Sequence, residues 1–200
     1  MPTEKEPAAS SGIADPGPLG LAAFALTTFL LSAKNAGWTH GTDAWLGYAF
    51  FYGGTVQLLA GMWEFRNRNV FGATAFGTYG GFWLGLGFYI KFVSPEAKPD
   101  QLSNDLGWIL LAFAIFNLYM LIASTRLNAA LFGVFLTLQA TEVLLFIGEF
   151  SGSEAIGKIG GYVGVLTALV AWYTSFAVVM NTVSGRSVVP VGRPLVSAGS

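Results

Sequence analysis

Six apolar stretches, each close to the length that crosses a lipid bilayer, fill almost the whole of this 200-residue chain. They run about 19–33, 44–63, 70–92, 106–123, 129–150 and 156–180. The hydrocarbon core is ~30 Å thick, and about 20 apolar residues span it at the helical rise. Short polar links separate the stretches, leaving no room for a sizeable soluble domain. The expectation is an all-α integral membrane protein with six transmembrane helices over residues 15–183. A disordered tail, 1–14, would precede them and a C-terminal cytoplasmic tail, 184–200, would follow.

Composition narrows the function classes. The chain is 54% hydrophobic and 10% charged, against about 25% charged in soluble domains. A net charge of −1 gives no nucleic-acid footprint. The absence of cysteine excludes disulfides, thiolate metal sites and cysteine nucleophiles, and the lone histidine, His40, makes no metal cluster. No Walker loop, zinc-ligand spacing or Ser/His/Asp set is present, so the chain reads as no enzyme, with no cofactor and no metal. The segment before the first stretch carries Glu4, Lys5, Glu6 and Asp15 rather than a basic run, unlike a removable leader. Its prolines and serines (Pro2, Pro7, Ser10, Ser11) predict disorder.

With six spans both termini share a side. That side receives Arg66, Arg68, Arg126, Arg186 and Arg193, and the other receives Lys34, Lys91, Lys98 and Lys158. The arginine bias, though modest, puts both termini in the cytoplasm. Short tails point to a prokaryotic plasma (inner) membrane.

Glycine and buried polar groups carry the finer signal. Among 26 glycines, Gly77, Gly81 and Gly85 recur every four residues, as do Gly157–Gly161 and Gly160–Gly164. Such spacing makes a smooth helix face for close packing, within one chain or between subunits. Thr55, Gln57, Thr78, Tyr79, Gln139, Thr141 and Glu142 fall at membrane depth, where lipid offers no partners. Loss of water disfavours an ionised carboxyl, so Glu142 is expected to hold a proton or to be paired. It either bonds a neighbouring helix or serves a proton-linked path. Glu64 is expected at a helix end, pairing with Arg66 or Arg68 or bonding nearby backbone. Trp38, Trp45, Trp63 and Trp108 lie near segment ends, as interface anchors do. Composition and topology thus reach a helical membrane channel or transporter.

Specific residues go further. Asp15-Pro16-Gly17-Pro18-Leu19-Gly20-Leu21 resembles the Asn-Pro-x-Pro-Leu-Gly-Leu signature of the acetate uptake transporter family, the succinate–acetate permeases. The resemblance continues through Phe51-Tyr52-Gly53-Gly54, Gln57, Ala60-Gly61 and Glu64, then Phe71 to Phe76 and Tyr79-Gly80-Gly81-Phe82-Trp83. Asn181, Gly185-Arg186 and Val189-Pro190-Val191-Gly192 resemble the family's ending.

The resemblance implies six-helix subunits in hexameric rings, each with its own pore for acetate and in some cases succinate or lactate. Passage would run by proton symport or as an anion channel. It implies a constriction of Phe24, Tyr79 and a fifth-span leucine. That leucine is Leu138 when Ile147-Gly148 anchors the match, and Leu136 when Arg126 does. Ala171 falls on a position that affects substrate size. The mouth would include Asp15 and Pro16, with the first-turn N–H groups of the helix facing the anion. Thr27, Thr28, Thr55 and Thr78 would donate further bonds along the path. The signature asparagine is Asp15 here, a carboxylate where an anion enters, and Gln139 and Glu142 stand where the family leads one to expect apolar residues. A channel for ammonia/ammonium or another small neutral solute is the alternative. A membrane scaffold or sensor is a third reading, disfavoured by the lack of a signalling domain.

Overall fold

A computed structural model describes residues 12–41 and 43–196. Most of the expected tail 1–14, and residues 197–200 of the C-terminal tail, lie outside them. Every regular element among the described residues is helical. Helix α1 spans Gly17–Asn35. Helix α2, Asp43–Phe50, continues through a π-helical segment, Phe51–Val56, into α3, Gln57–Arg66. Helix α4, Val70–Phe88, likewise runs on into a π-helical segment, Tyr89–Val93. Three longer helices follow: α5, Pro99–Ser124; α6, Ala129–Ser151; and α7, Glu154–Ser184.

Local chemistry sets these boundaries. Asn69, Asn128 and Ser153 each precede a helix and accept its first-turn N–H, from Gly72 at 3.1 Å, Leu131 at 2.9 Å and Ile156 at 3.4 Å. Gly152 and Gly185 end α6 and α7 in the left-handed conformation, with φ of 63° and 62°. Prolines stand in the first turns of α1 and α5, where the missing N–H is no loss. In the first π segment the Thr55 hydroxyl donates to the Phe50 carbonyl at 2.8 Å, serving an acceptor that the widened turn disturbs.

Helix α1 packs along α7, α7 on α6, and α6 on α5, while α3 packs on α4. Close approach depends on missing side chains: a Cβ at Gly161 would strike the backbone of Asn35 and Ala36 at the end of α1. The seam between α4 and α5 is filled by rings instead, with Tyr79 and Phe116 centroids 5.3 Å apart and Phe82 and Phe113 4.6 Å apart.

Among the described residues, four helices are long and apolar enough to cross a membrane: α1, α5, α6 and α7. Helix α4 spends six of its 19 positions on glycine, which adds no apolar surface. The run 43–66 is divided by its π segment.

One expectation changes here. Trp45 is 2% exposed, packed with Ala49, Trp83 and Leu86 in a second core cluster. The helix turns this ring inward, so it does not anchor at an interface, whereas Trp38, Trp63 and Trp108 are exposed. Beyond α7 the chain folds back: Ala130 N–H donates to the Val191 carbonyl at 2.9 Å, Leu195 N–H to the Thr125 carbonyl at 2.8 Å, and the Tyr173 hydroxyl to the Pro190 carbonyl at 2.5 Å. Residues 185–196 are thus fastened to the α5–α6 turn.

Candidate functional site

Residues far apart in sequence meet at one constriction. Phe24 of α1, Tyr79 of α4 and Leu138 of α6 are 5%, 4% and 6% exposed and share one core cluster. The Phe24 and Tyr79 rings lie 5.7 Å apart. Leu136, two positions away on α6, is 47% exposed on the opposite face. The helical period puts these two leucines on different faces of α6, and packing turns Leu138 toward the rings.

Two cavities meet at these three side chains. One, with about 70 Å³ open to water-sized molecules, is bordered by Leu21, Gln57, Glu64, Phe71 and Leu131 together with the trio. The other, of about 40 Å³, is bordered by Thr28, Ser32, Trp83, Thr141 and Glu142 together with the same trio. Each is large enough for water, which needs roughly 10–15 Å³. The second cavity shares Leu31, Asn35, Leu110 and Leu145 with a third, bordered also by Lys34 and Glu149. A broader opening takes up Lys34, Asn35, Leu145 and Glu149 again and adds Lys158. The cavities form a trail from Glu64 to Lys34, broken at Phe24, Tyr79 and Leu138.

Polar groups line this trail unevenly. Gln57 and Glu64 are each 1% exposed, and Gln57 Oε1 and Glu64 Oε1 have no partner. Glu64 Oε2 accepts from Asn67 Nδ2 at 3.1 Å, so an amide in the following link takes the place expected for Arg66 or Arg68, both exposed. Beyond the constriction Thr28 Oγ1 and Glu142 Oε2 are likewise buried without partners. The Tyr79 hydroxyl lies 3.0 Å from Asn117 Oδ1 and 3.3 Å from Glu142 Oε1. Asn117 Nδ2 donates to the Phe135 carbonyl and to Gln139 Oε1, both at 2.9 Å. This network links α4, α5 and α6.

Asn117 escaped the sequence reading although it is fully buried. An amide in the middle of an apolar span was the available signal, because lipid cannot answer it. The residues of the expected mouth stand near the Glu64 end of the trail, where a Cβ on Gly17 would lie 3.0 Å from Asp15 Oδ1 and 3.5 Å from Glu64 Oε1. Asp15 is exposed, and its Oδ1 accepts the Gly17 N–H at 2.8 Å. Gly20 N–H donates to the Pro16 carbonyl, and Pro18 has no N–H, so α1 offers few free donors to an anion. Thr27 donates to the Ala23 carbonyl at 3.1 Å and borders none of the cavities above. Thr78 is half-buried on α4 and Ala171 is fully buried in the main core cluster; neither borders those cavities. Gly20 and Gly54 are close-contact positions, where a Cβ would strike the Phe76 ring and the Ala49 carbonyl. Gly81 and Gly85 meet nothing within 4 Å, and a Cβ at Gly77 would find only Met62 at 3.6 Å, so this glycine face is open in the single chain.

The sequence profile of the GPR1/FUN34/yaaH family matches residues 1–193. The chain belongs to this family. It is 40% identical over 178 residues to Ammonia transport outward protein 2 of Saccharomyces cerevisiae, covering 86% of this chain and 63% of that one. The chain thus spans less than two thirds of the length of that yeast relative. It is 34% identical over 181 residues to Succinate-acetate/proton symporter SatP of Escherichia coli K12, covering 90% and 96% of the two chains. Its fold matches the structure of the bacterial acetate channel SatP with a TM-score of 0.85, at 35% identity, over 90% of this chain and 99% of that one. A fold match this close, together with the apolar helices, makes the chain a helical, multi-pass membrane protein.

Proposed function

We propose that this chain passes small carboxylates, acetate first and succinate or lactate by extension, across a plasma (inner) membrane. The observation that carries the reading is the pair of cavities meeting at Phe24, Tyr79 and Leu138. A solute on the trail meets a neck of two rings and one aliphatic side chain. A bare carboxylate pays heavily for leaving water there, whereas the neutral acid crosses far more readily. The names of the bacterial relatives, an acetate channel and a succinate-acetate/proton symporter, support the solute class and a part for protons.

In this reading the helical runs 17–35, 43–66, 70–93, 99–124, 129–151 and 154–184 are six spans. The arginine-bearing links and both termini face the cytoplasm. Six copies form a ring through the open Gly77–Gly81–Gly85 face of α4, where helices approach closely. Native mass spectrometry in mild detergent tests the ring, and active monomers would overturn it. Uptake of labelled acetate into vesicles holding the purified protein tests the function. Uptake above that of empty vesicles is expected, and its absence would sink the proposal.

A second reading, passage of ammonia or ammonium, draws on the name of the yeast relative and on the unpartnered acceptors Gln57 Oε1 and Glu64 Oε1, which suit an N–H donor. Ammonium flux exceeding acetate flux in the same vesicles would favour it.

A further inference from the structure

Counting hydrogens around Tyr79 leaves one unaccounted for. Asn117 Nδ2 donates to the Phe135 backbone carbonyl, an oxygen that carries no hydrogen, so the amide cannot be reversed. Asn117 Oδ1 therefore faces the Tyr79 hydroxyl as an acceptor, 3.0 Å away. Tyr79 has a single hydrogen, and this shorter contact takes it. Glu142 Oε1 stands 3.3 Å from the same hydroxyl oxygen. The hydrogen between them then comes from Glu142, as a neutral carboxyl donating to Tyr79. An ionised Glu142 would face the tyrosine lone pairs or strip Asn117 of its donor, and a buried polar group without a partner is costly.

The surroundings agree. Glu142 is 5% exposed in the middle of α6, while the described basic residues stand at helix ends or in links. Among the groups bordering its cavity, from α1, α4, α5 and α6, only Tyr79 and Glu142 ionise; the next charged groups on the trail are Lys34 and Glu149, in the cavity beyond. Glu142 and Thr28 both border this cavity, and Glu142 Oε2 and Thr28 Oγ1 have no partner in the protein. Together they offer what a carboxyl group uses: a hydroxyl donor for one oxygen and a proton-exchanging group for the other.

We propose that Glu142 is a proton-exchange group beside the neck, held by the Tyr79–Asn117–Gln139 chain, that trades a proton with a carboxylate standing against Thr28. The inference rests on the proposed carboxylate passage. In the forward step the Glu142 carboxyl turns its O–H from Tyr79 into the cavity, that O–H bond breaks and an O–H bond forms on the solute carboxylate, giving the neutral acid and an ionised Glu142. The electron pair stays on Glu142. The Tyr79 hydroxyl turns its hydrogen from Asn117 Oδ1 to Glu142 Oε1 and answers the new charge, while the neutral acid crosses the apolar neck. A proton arriving along the trail restores Glu142.

The test compares the full-length protein with Glu142→Gln, which keeps the shape and removes the exchangeable proton. Acetate uptake is measured across a pH series at fixed anion concentration, alongside proton uptake. The wild type is expected to take up about one proton per acetate and to slow as pH rises, as a carrier of general acid–base type does. Glu142→Gln is expected to lose that coupling and flatten the profile. A variant with the wild-type stoichiometry and profile would overturn the proposal. Infrared spectroscopy of both purified proteins gives a readout independent of flux. A neutral-carboxyl C=O band in the wild type that is missing from Glu142→Gln supports the assignment, even if the variant is inactive. A wild type without that band refutes it. Absence of acetate uptake in the wild type, with the band present, would count against the carboxylate reading while leaving the protonated state of Glu142 standing.

Discussion

The two sides of the neck each bury a glutamate with one oxygen bonded and the other free, yet they hold it in different ways. Glu64 takes its partner, Asn67, from three residues along the chain, where α3 gives way to the link. Glu142 takes its contact from Tyr79, 63 positions away in sequence, and Tyr79 is fixed in turn by Asn117 on a third helix. One carboxyl is anchored locally at a helix end near exposed arginines; the other is anchored only by the assembled bundle. Local anchoring survives small changes elsewhere, while a network across helices passes a change at any member to the rest.

The most drastic way to break the comparison is to remove the neck. Phe24→Ala joins the two cavities, at a cost of about 3–5 kcal/mol in stability. Lactate uptake relative to acetate should rise about tenfold, the equivalent of about 1.4 kcal/mol of relieved barrier. A folded variant with an unchanged lactate-to-acetate ratio would show that these rings do not set the limit.

Next in size is Asn117→Leu, which strips partners from Tyr79 and Gln139 together. Thermal unfolding in detergent should report a loss of about 1–3 kcal/mol. Asn67→Ala on the Glu64 side should lose less, about 0.5–1 kcal/mol, because the half-buried link leaves water to replace the amide. Equal losses would erase the distinction between local and networked anchoring.

Glu64→Gln sharpens the comparison further. The amide oxygen still accepts from Asn67, so the pH profile of uptake should keep its wild-type shape, with rates within about twofold, under 0.5 kcal/mol. A flattened profile would move the proton-exchanging role from Glu142 to Glu64. The smallest effect is expected from Asp15→Asn, since both side chains accept the Gly17 N–H through Oδ1. Stability should change by a few tenths of a kcal/mol and acetate uptake by less than about twofold. A large gain in uptake would show that the Asp15 charge does repel the anion at the mouth.

The sequence by itself determined much of this molecule. Apolar length is additive along the chain, so the helical stretches were legible to within about four residues, save that α5 begins at Pro99 rather than near 106. Caps and terminators act within one turn, so Asn69, Asn128, Gly152 and Gly185 mark their boundaries without help from the rest of the fold. The motif residues from Asp15 to Trp83 pointed to the family, and the profile match bears that out. What the sequence could not decide was which way each helix faces. In a soluble helix an apolar stripe marks the buried side, but a helix apolar all round carries no such stripe. Trp45 therefore read as an interface anchor, Leu136 and Leu138 competed, and Asn117 passed unnoticed. Only packing chose among them, because the α6 face that meets α4 and α5 is defined by those helices and not by α6 alone. The Tyr79–Asn117–Glu142 network exists for the same reason: three helices must be in place before its hydrogens can be counted.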